Sequence, residues 1–183
     1  MRLLGVVLAG GQSRRFGSDK ALALLDGRPL IDHALAALSG CEAVVVAGRE
    51  WPGVHALPDR PGPDMGPLGG LNAALHHATD QGFTHVASVP VDCPGLPGNW
   101  LAQLDDGPAH DMGQPLIGMW PVALAAGLAA FLGSGQRRVQ HWVAGTGARA
   151  IDLGPLANVN RAEDLAVTAS AVGGNMDSQK GNP

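Results

Sequence analysis

The sequence predicts an α/β protein: one Rossmann-like domain of three layers, helix–sheet–helix, built on a mainly parallel sheet. Three observations lead there. The runs Leu3–Leu8 (LLGVVL), Ala43–Ala47 (AVVVA) and Thr84–Val91 (THVASVPV) are short, apolar and rich in β-branched residues, as strands buried on both faces are. The stretches between them carry apolar residues three and four apart, the spacing of helices, and strands joined by helices make parallel sheets through right-handed crossovers. The first run stops at Gly10-Gly11 and is followed by Arg14, Arg15 and Lys20. Ligands of such sheets bind beyond the carboxyl ends of the strands, so this loop and Asp92, which ends the third run, are expected to open onto one crevice.

In chain order, Pro29 suits the first turn of a helix that runs through Ile31, Leu35 and Leu38 and stops near Gly40. Trp51–Gly70, dense in Pro and Gly, is expected to be irregular and functional. A helix is predicted over Leu71–Thr79, entered through Gly69-Gly70. Beyond Asp92 the pattern gives a short helix at Trp100–Leu104, a weak strand at Leu116–Met119 and a helix over Val122–Leu132. A basic helix at Gln136–Val143, a small strand at Ala148–Leu153 and a last helix at Arg161–Val167 follow. Asp105–Gly113 shows no clear strand. Residues 1–168 read as one domain and 169–183 as a disordered tail, since GGNMDSQKGNP is polar and almost free of apolar residues.

Composition narrows the function. At 183 residues the chain can bury one proper core. Its net charge is -4, with 15% charged residues, which argues against a general nucleic-acid binder. An anion site must then be local. Lys20 and Lys180 are the sole lysines, and Lys180 falls in the tail, which gives a lysine inside a glycine-rich loop a specific role. Cys41 and Cys93 form no C-x-x-C and read as buried free thiols; His76 and His77 are adjacent, a spacing that does not serve one metal ion from a helix face. The apolar stretch Trp120–Leu132 is too short to span a bilayer and no signal peptide is seen, so a cytoplasmic protein is expected.

The loop LAGGQSRRFGSDK, Leu8–Lys20, has the makings of a polyphosphate cradle. Glycines let backbone N–H groups approach an anion, and the cations neutralise it. It is not Walker A, because Gly17 falls one place too late after Gly11. It is not the dinucleotide fingerprint, because no third glycine follows Gly10-Gly11 where a helix would pack. The pattern L-A-G-G-x-S-x-R-[FM]-G-x-D-K resembles instead the signature loop of nucleotidyltransferases that move NMP from an NTP to a phosphorylated acceptor, and within them the molybdenum cofactor guanylyltransferases. The sheet is then of the nucleotide-diphospho-sugar transferase type.

Two aspartates support this. Asp92, a carboxylate directly after an apolar strand, needs a polar task because burying an unpaired charge is costly, and Mg²⁺ fits: it takes one or two carboxylates plus substrate phosphates. The segment PVDCPGL resembles the family's metal-binding strand end. A cap or turn role for Asp92 is the alternative. Asp59, with Gly66-Pro67-Leu68-Gly69-Gly70 beginning seven residues on, resembles the family's nucleotide loop and is expected to bond the nucleoside; a turn residue is the alternative.

The later motifs extend the resemblance over roughly Leu4–Val167. Gln114-Pro115 stands where the family has His-Pro. Gly135-Gln136-Arg137-Arg138 matches its G-x-R-R, where arginines could meet an acceptor phosphate or simply form a solvated face. Asn158-Val159-Asn160, followed by Arg161-Ala162-Glu163-Asp164-Leu165, matches its closing motif, with Asn160 also suited to cap a helix with Glu163 at the third position. Ala47 stands where some members have an asparagine on the nucleotide.

The resemblance implies GMP transfer from GTP to the phosphate of molybdenum-molybdopterin, with release of pyrophosphate. Lys20, Asp92 and Arg15 are the catalytic candidates. Leu8, Ala9, Gly10, Gly11, Lys20, Asp59 and Asp92 would form the GTP site; Asn158, Asn160 and Arg137 the acceptor side; Asp92 the Mg²⁺ ligand. Transient contact with cofactor-receiving enzymes is implied as well. The runners-up are cytidylyl transfer to the same acceptor, disfavoured by Gly10 alone, and a non-catalytic GTP-binding module.

Overall fold

The computed structural model describes residues 1–10, 19–105, 107–160 and 163–165. In chain order the elements are β1 (Leu3–Leu8), a small hairpin of β2 (Leu24–Leu25) and β3 (Arg28–Pro29), α1 (Leu30–Ala37), β4 (Ala43–Ala47), β5 (His55–Leu57), α2 (Pro67–Asp80), β6 (His85–Pro90), α3 (Trp100–Leu104), β7 (Ala109–Asp111), β8 (Gly118–Pro121), α4 (Ala125–Gly133), α5 (Val139–Thr146) and β9 (Arg149–Ile151). Short 3₁₀ turns at Lys20–Leu22 and Val122–Leu124 complete them.

Seven strands form one sheet in the order β5-β4-β1-β6-β8-β7-β9. β1 pairs in parallel with β4 and β6, and β4 with β5. β8 alone is reversed, antiparallel to β6 and β7, while β7 and β9 run in parallel. Alternation along β1 divides the core. Leu4, Val6 and Leu8 point into a layer with Leu71 and Leu75 of α2, Leu128 of α4 and Trp142 of α5. Leu3 and Val7 point into the opposite layer, with Ile31 and Ala34 of α1 and Trp100 and Leu104 of α3. All six residues of β1 are buried. Three layers around a mainly parallel sheet are thus observed, as the pattern of strands and helices predicts.

Several boundaries differ from the sequence reading, each for a tertiary reason. The Pro/Gly segment 51–70 is not irregular throughout: it holds β5 and the first residues of α2. That helix begins at Pro67, with proline in its first turn, and Gly69-Gly70 lie inside it. There a Cβ on Gly69 would sit 2.5 Å from Met65 Cβ, and one on Gly70 2.8 Å from Ala47 Cβ. Close approach, not helix entry, is what these two glycines provide. β8 occupies Gly118–Pro121 instead of Leu116–Met119, with Gly118 packed under Trp120.

A strand does precede Gln114. β7 is buried throughout, although His110 and Asp111 make it polar. α5 starts at Val139, three residues later than expected, and β9 is confined to Arg149–Ile151. The expected helix Arg161–Val167 falls mostly, and the tail 169–183 wholly, outside the described residues. Cys93 is buried, Cys41 only partly, and both are free thiols; burial pushes the Cys41 thiol up to about 12.

Candidate active site

The carboxyl ends of β1, β4, β5 and β6 meet at one edge of the sheet. The chain leaves β1 at Ala9, whose N–H donates to Ala47 O of β4 at 3.0 Å. Gly10 then lies against Gly48. Gly48 has φ +88°, and a Cβ on it would come 2.3 Å from Gly10 Cα and 2.6 Å from Gly10 N. Two loops pack backbone on backbone here, which only glycine permits. They floor a cleft of about 1010 Å³ that Arg49, Asp59, Asp64 and Gly66 also line.

Lys20 re-enters the crevice from the other end of the glycine loop. Asp19 caps the 3₁₀ turn by accepting from Ala21 N–H, and its carboxylate also accepts from both terminal nitrogens of Arg49, at 2.7 and 2.8 Å. The Arg49 guanidinium holds the Asp19 carboxyl below the usual carboxylate range. Among the described residues Arg49 Nε is buried without a hydrogen-bond partner. The next residue, Lys20, donates from Nζ to Asp92 Oδ2 at 3.2 Å and to Asn160 Oδ1 at 3.4 Å.

Asp92 follows β6 by two residues, where Val91 N–H still donates to Leu8 O. Its carbonyl accepts from Val159 N–H at 2.8 Å, which anchors the Asn158–Asn160 segment beside it. Val159 itself is fully buried with Leu25 and Leu30 under the hairpin. Asn160 N–H donates to Asp164 Oδ2 at 2.8 Å, which closes this turn from four positions on. Burial, and next the Asp92 charge, push the Cys93 thiol above its ordinary value. Asp59, beyond β5, is also raised, by burial first and by Asp64 second.

Two smaller clefts lie around Gln114. One of about 340 Å³ is lined by Cys93, Gly113, Gln114, Asp152 and Asn158; the other, of about 390 Å³, by Gln114, Leu116, Arg138 and Val139. Gln114 belongs to both, and its amide donates to Cys93 Sγ at 3.6 Å.

The structure therefore brings Lys20, Asp92 and Asn160 into contact, sets Gly10 and Asp59 on the large cleft at the ends of β1 and β5, and sets Asn158 on the smaller cleft beside Cys93. Leu8 is buried and Ala9 half-buried, which leaves chiefly their backbone to face a ligand. Arg137 stands apart: its guanidinium donates to Leu132 O and Gln136 O, both at 2.7 Å, and it is Arg138 that faces a cleft. Gly11 and Arg15 lie outside the described residues. Ala47 packs against Gly70 at the end of β4.

Sequence reasoning missed Asp111. It is 3% exposed, and its carboxylate accepts from Gly113 N–H at 2.9 Å, Gln114 N–H at 2.7 Å and Leu153 N–H at 3.2 Å. An aspartate two residues before a glycine, next to Gln-Pro, was the available signal.

A divalent cation is implied by the resemblance, and the donor set allows one. Among the described residues no three His, Cys, Asp or Glu side chains converge. Asp92 offers one partly exposed carboxylate at the crevice, which suits a magnesium ion that takes its other ligands from substrate phosphates and water.

Comparison with known proteins agrees with this arrangement. The family model for the MobA-like NTP transferase domain matches residues 5–150. The molybdenum cofactor guanylyltransferase of Rhizobium johnstonii is 35% identical over 89% of this chain and 90% of its own, and that of Acidiphilium cryptum 38% identical over 89% and 92%. The same fold is seen in molybdopterin-guanine dinucleotide biosynthesis protein A from Archaeoglobus fulgidus, with a TM-score of 0.75 and 19% identity over 95% of this chain and all of that one. It is seen again in 2-C-methyl-D-erythritol 4-phosphate cytidylyltransferase from Thermus thermophilus, with a TM-score of 0.66 and 16% identity over 94% and 99%. With the family model matched over residues 5–150 and relatives 35% and 38% identical over 89% of its length, the chain belongs to the MobA-like NTP transferase family.

Proposed function

We propose that the protein is a molybdenum cofactor guanylyltransferase. It moves GMP from GTP to the terminal phosphate of molybdenum-molybdopterin, forming the guanine dinucleotide of the cofactor and pyrophosphate. The observation that carries this is the Lys20–Asp92 pair, beyond the carboxyl ends of the neighbouring strands β1 and β6, in a chain over a third identical along most of its length to guanylyltransferases.

GTP lies in the large cleft. The backbone at Gly10 and Gly11 meets its phosphates, Asp59 bonds the nucleoside, and Lys20, with Arg15, neutralises charge that builds on the phosphates as the bond breaks. The acceptor enters from the side of Gln114 and Asn158. Its phosphate oxygen attacks the α-phosphorus, the bond to the β-phosphate bridging oxygen breaks, and that oxygen leaves on pyrophosphate. A phosphate nucleophile is already ionised at neutral pH, so the chain supplies no general base; it supplies alignment and charge. Magnesium held by Asp92 would supply positive charge to the phosphates. With GTP as donor, the cytoplasm is the compartment of action, and the finished cofactor passes to recipient enzymes by transient contact.

Incubation with GTP, Mg²⁺ and molybdenum-loaded molybdopterin, followed by mass spectrometry of the released cofactor, tests the assignment. The guanine dinucleotide is expected. A cytosine dinucleotide from CTP in its place would move the protein to the cytidylyl reaction, and binding of GTP with no product would leave a nucleotide-binding module.

A further inference from the structure

We propose that Asp111 is a positioning residue for the acceptor: it fixes the wall against which the acceptor rests while making no contact with GTP. The inference rests on the guanylyltransferase reading and adds to it a residue outside every motif that led there.

Asp111 ends β7, with a nearly inaccessible carboxylate. A buried ionised group needs partners, and here no cation among the described residues provides them; three backbone N–H groups do. Two belong to Gly113 and Gln114, in the loop between β7 and β8, and the third to Leu153, in the segment after β9. One carboxylate thus ties together the two strand-end loops that flank the cleft beside Cys93.

The β7–β8 loop is fastened at its other end too. Ile117 N–H donates to Gln114 O, Asp111 N–H to Ile117 O, and the Ser88 hydroxyl donates to Leu116 O at 2.6 Å while accepting from Trp120 Nε1 at 2.8 Å. Nothing comparable would be needed for a connection that merely turns the chain. What the fastening holds still is Gln114, which lines both small clefts and whose amide reaches Cys93, next to Asp92. The large cleft, by contrast, has no lining residue from this loop. Misplacing the loop should therefore be felt by the acceptor and not by GTP.

The test uses the full chain, steady-state turnover, and the Michaelis constants for GTP and for molybdenum-loaded molybdopterin. Asp111→Asn keeps the shape but turns an N–H donor toward groups that need an acceptor. Gly113→Pro, at an exposed position, removes one N–H from the loop side and keeps the second comparison open if the first variant does not fold. For either, the acceptor KM is expected to rise about tenfold or more while the GTP KM stays within about twofold, since losing a charge-assisted hydrogen bond is worth about that factor. An unchanged acceptor KM, or a parallel rise in both constants in a folded variant, overturns the inference and leaves the proposed reaction intact. Absence of turnover by the unmodified protein removes the proposed reaction, and this inference with it.

Discussion

Lys20 Nζ lies 3.2 Å from Asp92 Oδ2, a contact between residues 72 positions apart. The cation arrives from the glycine loop after β1, the anion from the end of β6, and the neighbouring strands deliver both to one crevice. The two side chains keep 14% and 24% of their surface exposed. Desolvating both charges offsets much of their attraction, so such a pair is weak evidence for a purely stabilising role.

Lys20→Ala is accordingly expected to cut turnover by about a hundredfold or more, the usual scale for a lost electrostatic contact to the transition state. Its melting temperature should move by no more than about 4 °C, the equivalent of ~1 kcal/mol for a chain of this size. Pyrophosphate release and a thermal melt on the same preparation check both halves. Near-normal turnover would remove Lys20 from the chemistry.

Asp92→Asn keeps the side chain's size and removes its charge. Turnover is expected to fall at least as far as in the lysine variant, and chelation should stop the unmodified protein until Mg²⁺ is restored. Magnesium-dependent turnover that survived in the asparagine variant would place the metal on other ligands.

Gly48→Ala would drive a Cβ to 2.3 Å from Gly10 Cα at a φ of +88°, whereas a Cβ on Gly10 meets Gly48 Cα at 3.3 Å. The first substitution must move backbone at the floor of the nucleotide cleft, and the second requires a shift of a few tenths of an ångström. GTP affinity, read by calorimetry, should fall about tenfold or more for Gly48→Ala, by analogy with strained positions that cost 1–3 kcal/mol, and fall less for Gly10→Ala. Equal effects would mean the two loops are not in contact in solution.

The two perturbed aspartates of the crevice should give stability profiles of opposite sign. Asp19, held below the usual carboxylate range by Arg49, contributes stability that is present above its unfolded pKa and lost as pH falls through the folded one. Arg49→Met should remove that acid-side slope. Asp59, raised by burial and Asp64, contributes stability that is complete below its unfolded pKa and lost as pH rises through the folded one. Asp59→Asn should therefore raise the melting temperature at neutral pH, with the gain shrinking in acid. Melts from about pH 3 to pH 7 separate the two signs.

How far the sequence carries depends on what each residue packs against. β1, β4 and β6 are legible because both of their faces are buried by helices, and continuous apolar runs follow from that. β7 is illegible for the opposite reason: His110 is satisfied through Nδ1 on Asp111 O at 2.8 Å and by stacking on Trp120, and Asp111 by three N–H groups, so a buried strand is spelled with polar letters. The start of α2 was hidden because Gly69-Gly70 look like a turn until Met65, Asp59 and Ala47 are seen pressing on them. Of the candidate site, Asp92 and Gly10 stand out at strand ends, Lys20 as a rare lysine in a glycine-rich loop, and Asp59 through the Gly-Pro-Leu-Gly-Gly motif that follows it. Asn160's partner and the separation of Arg137 from Arg138 could not, since both depend on how far α5 and the last segment wind back to the sheet.

Pyrophosphate release in the presence of Mg²⁺ and molybdenum-loaded molybdopterin, compared across GTP, CTP, ATP and UTP, tests the central claim most directly. Release is expected with GTP, dependent on the acceptor, and little with the other three. Release with CTP in preference to GTP, or none with any nucleotide from folded protein that still binds GTP, would contradict it.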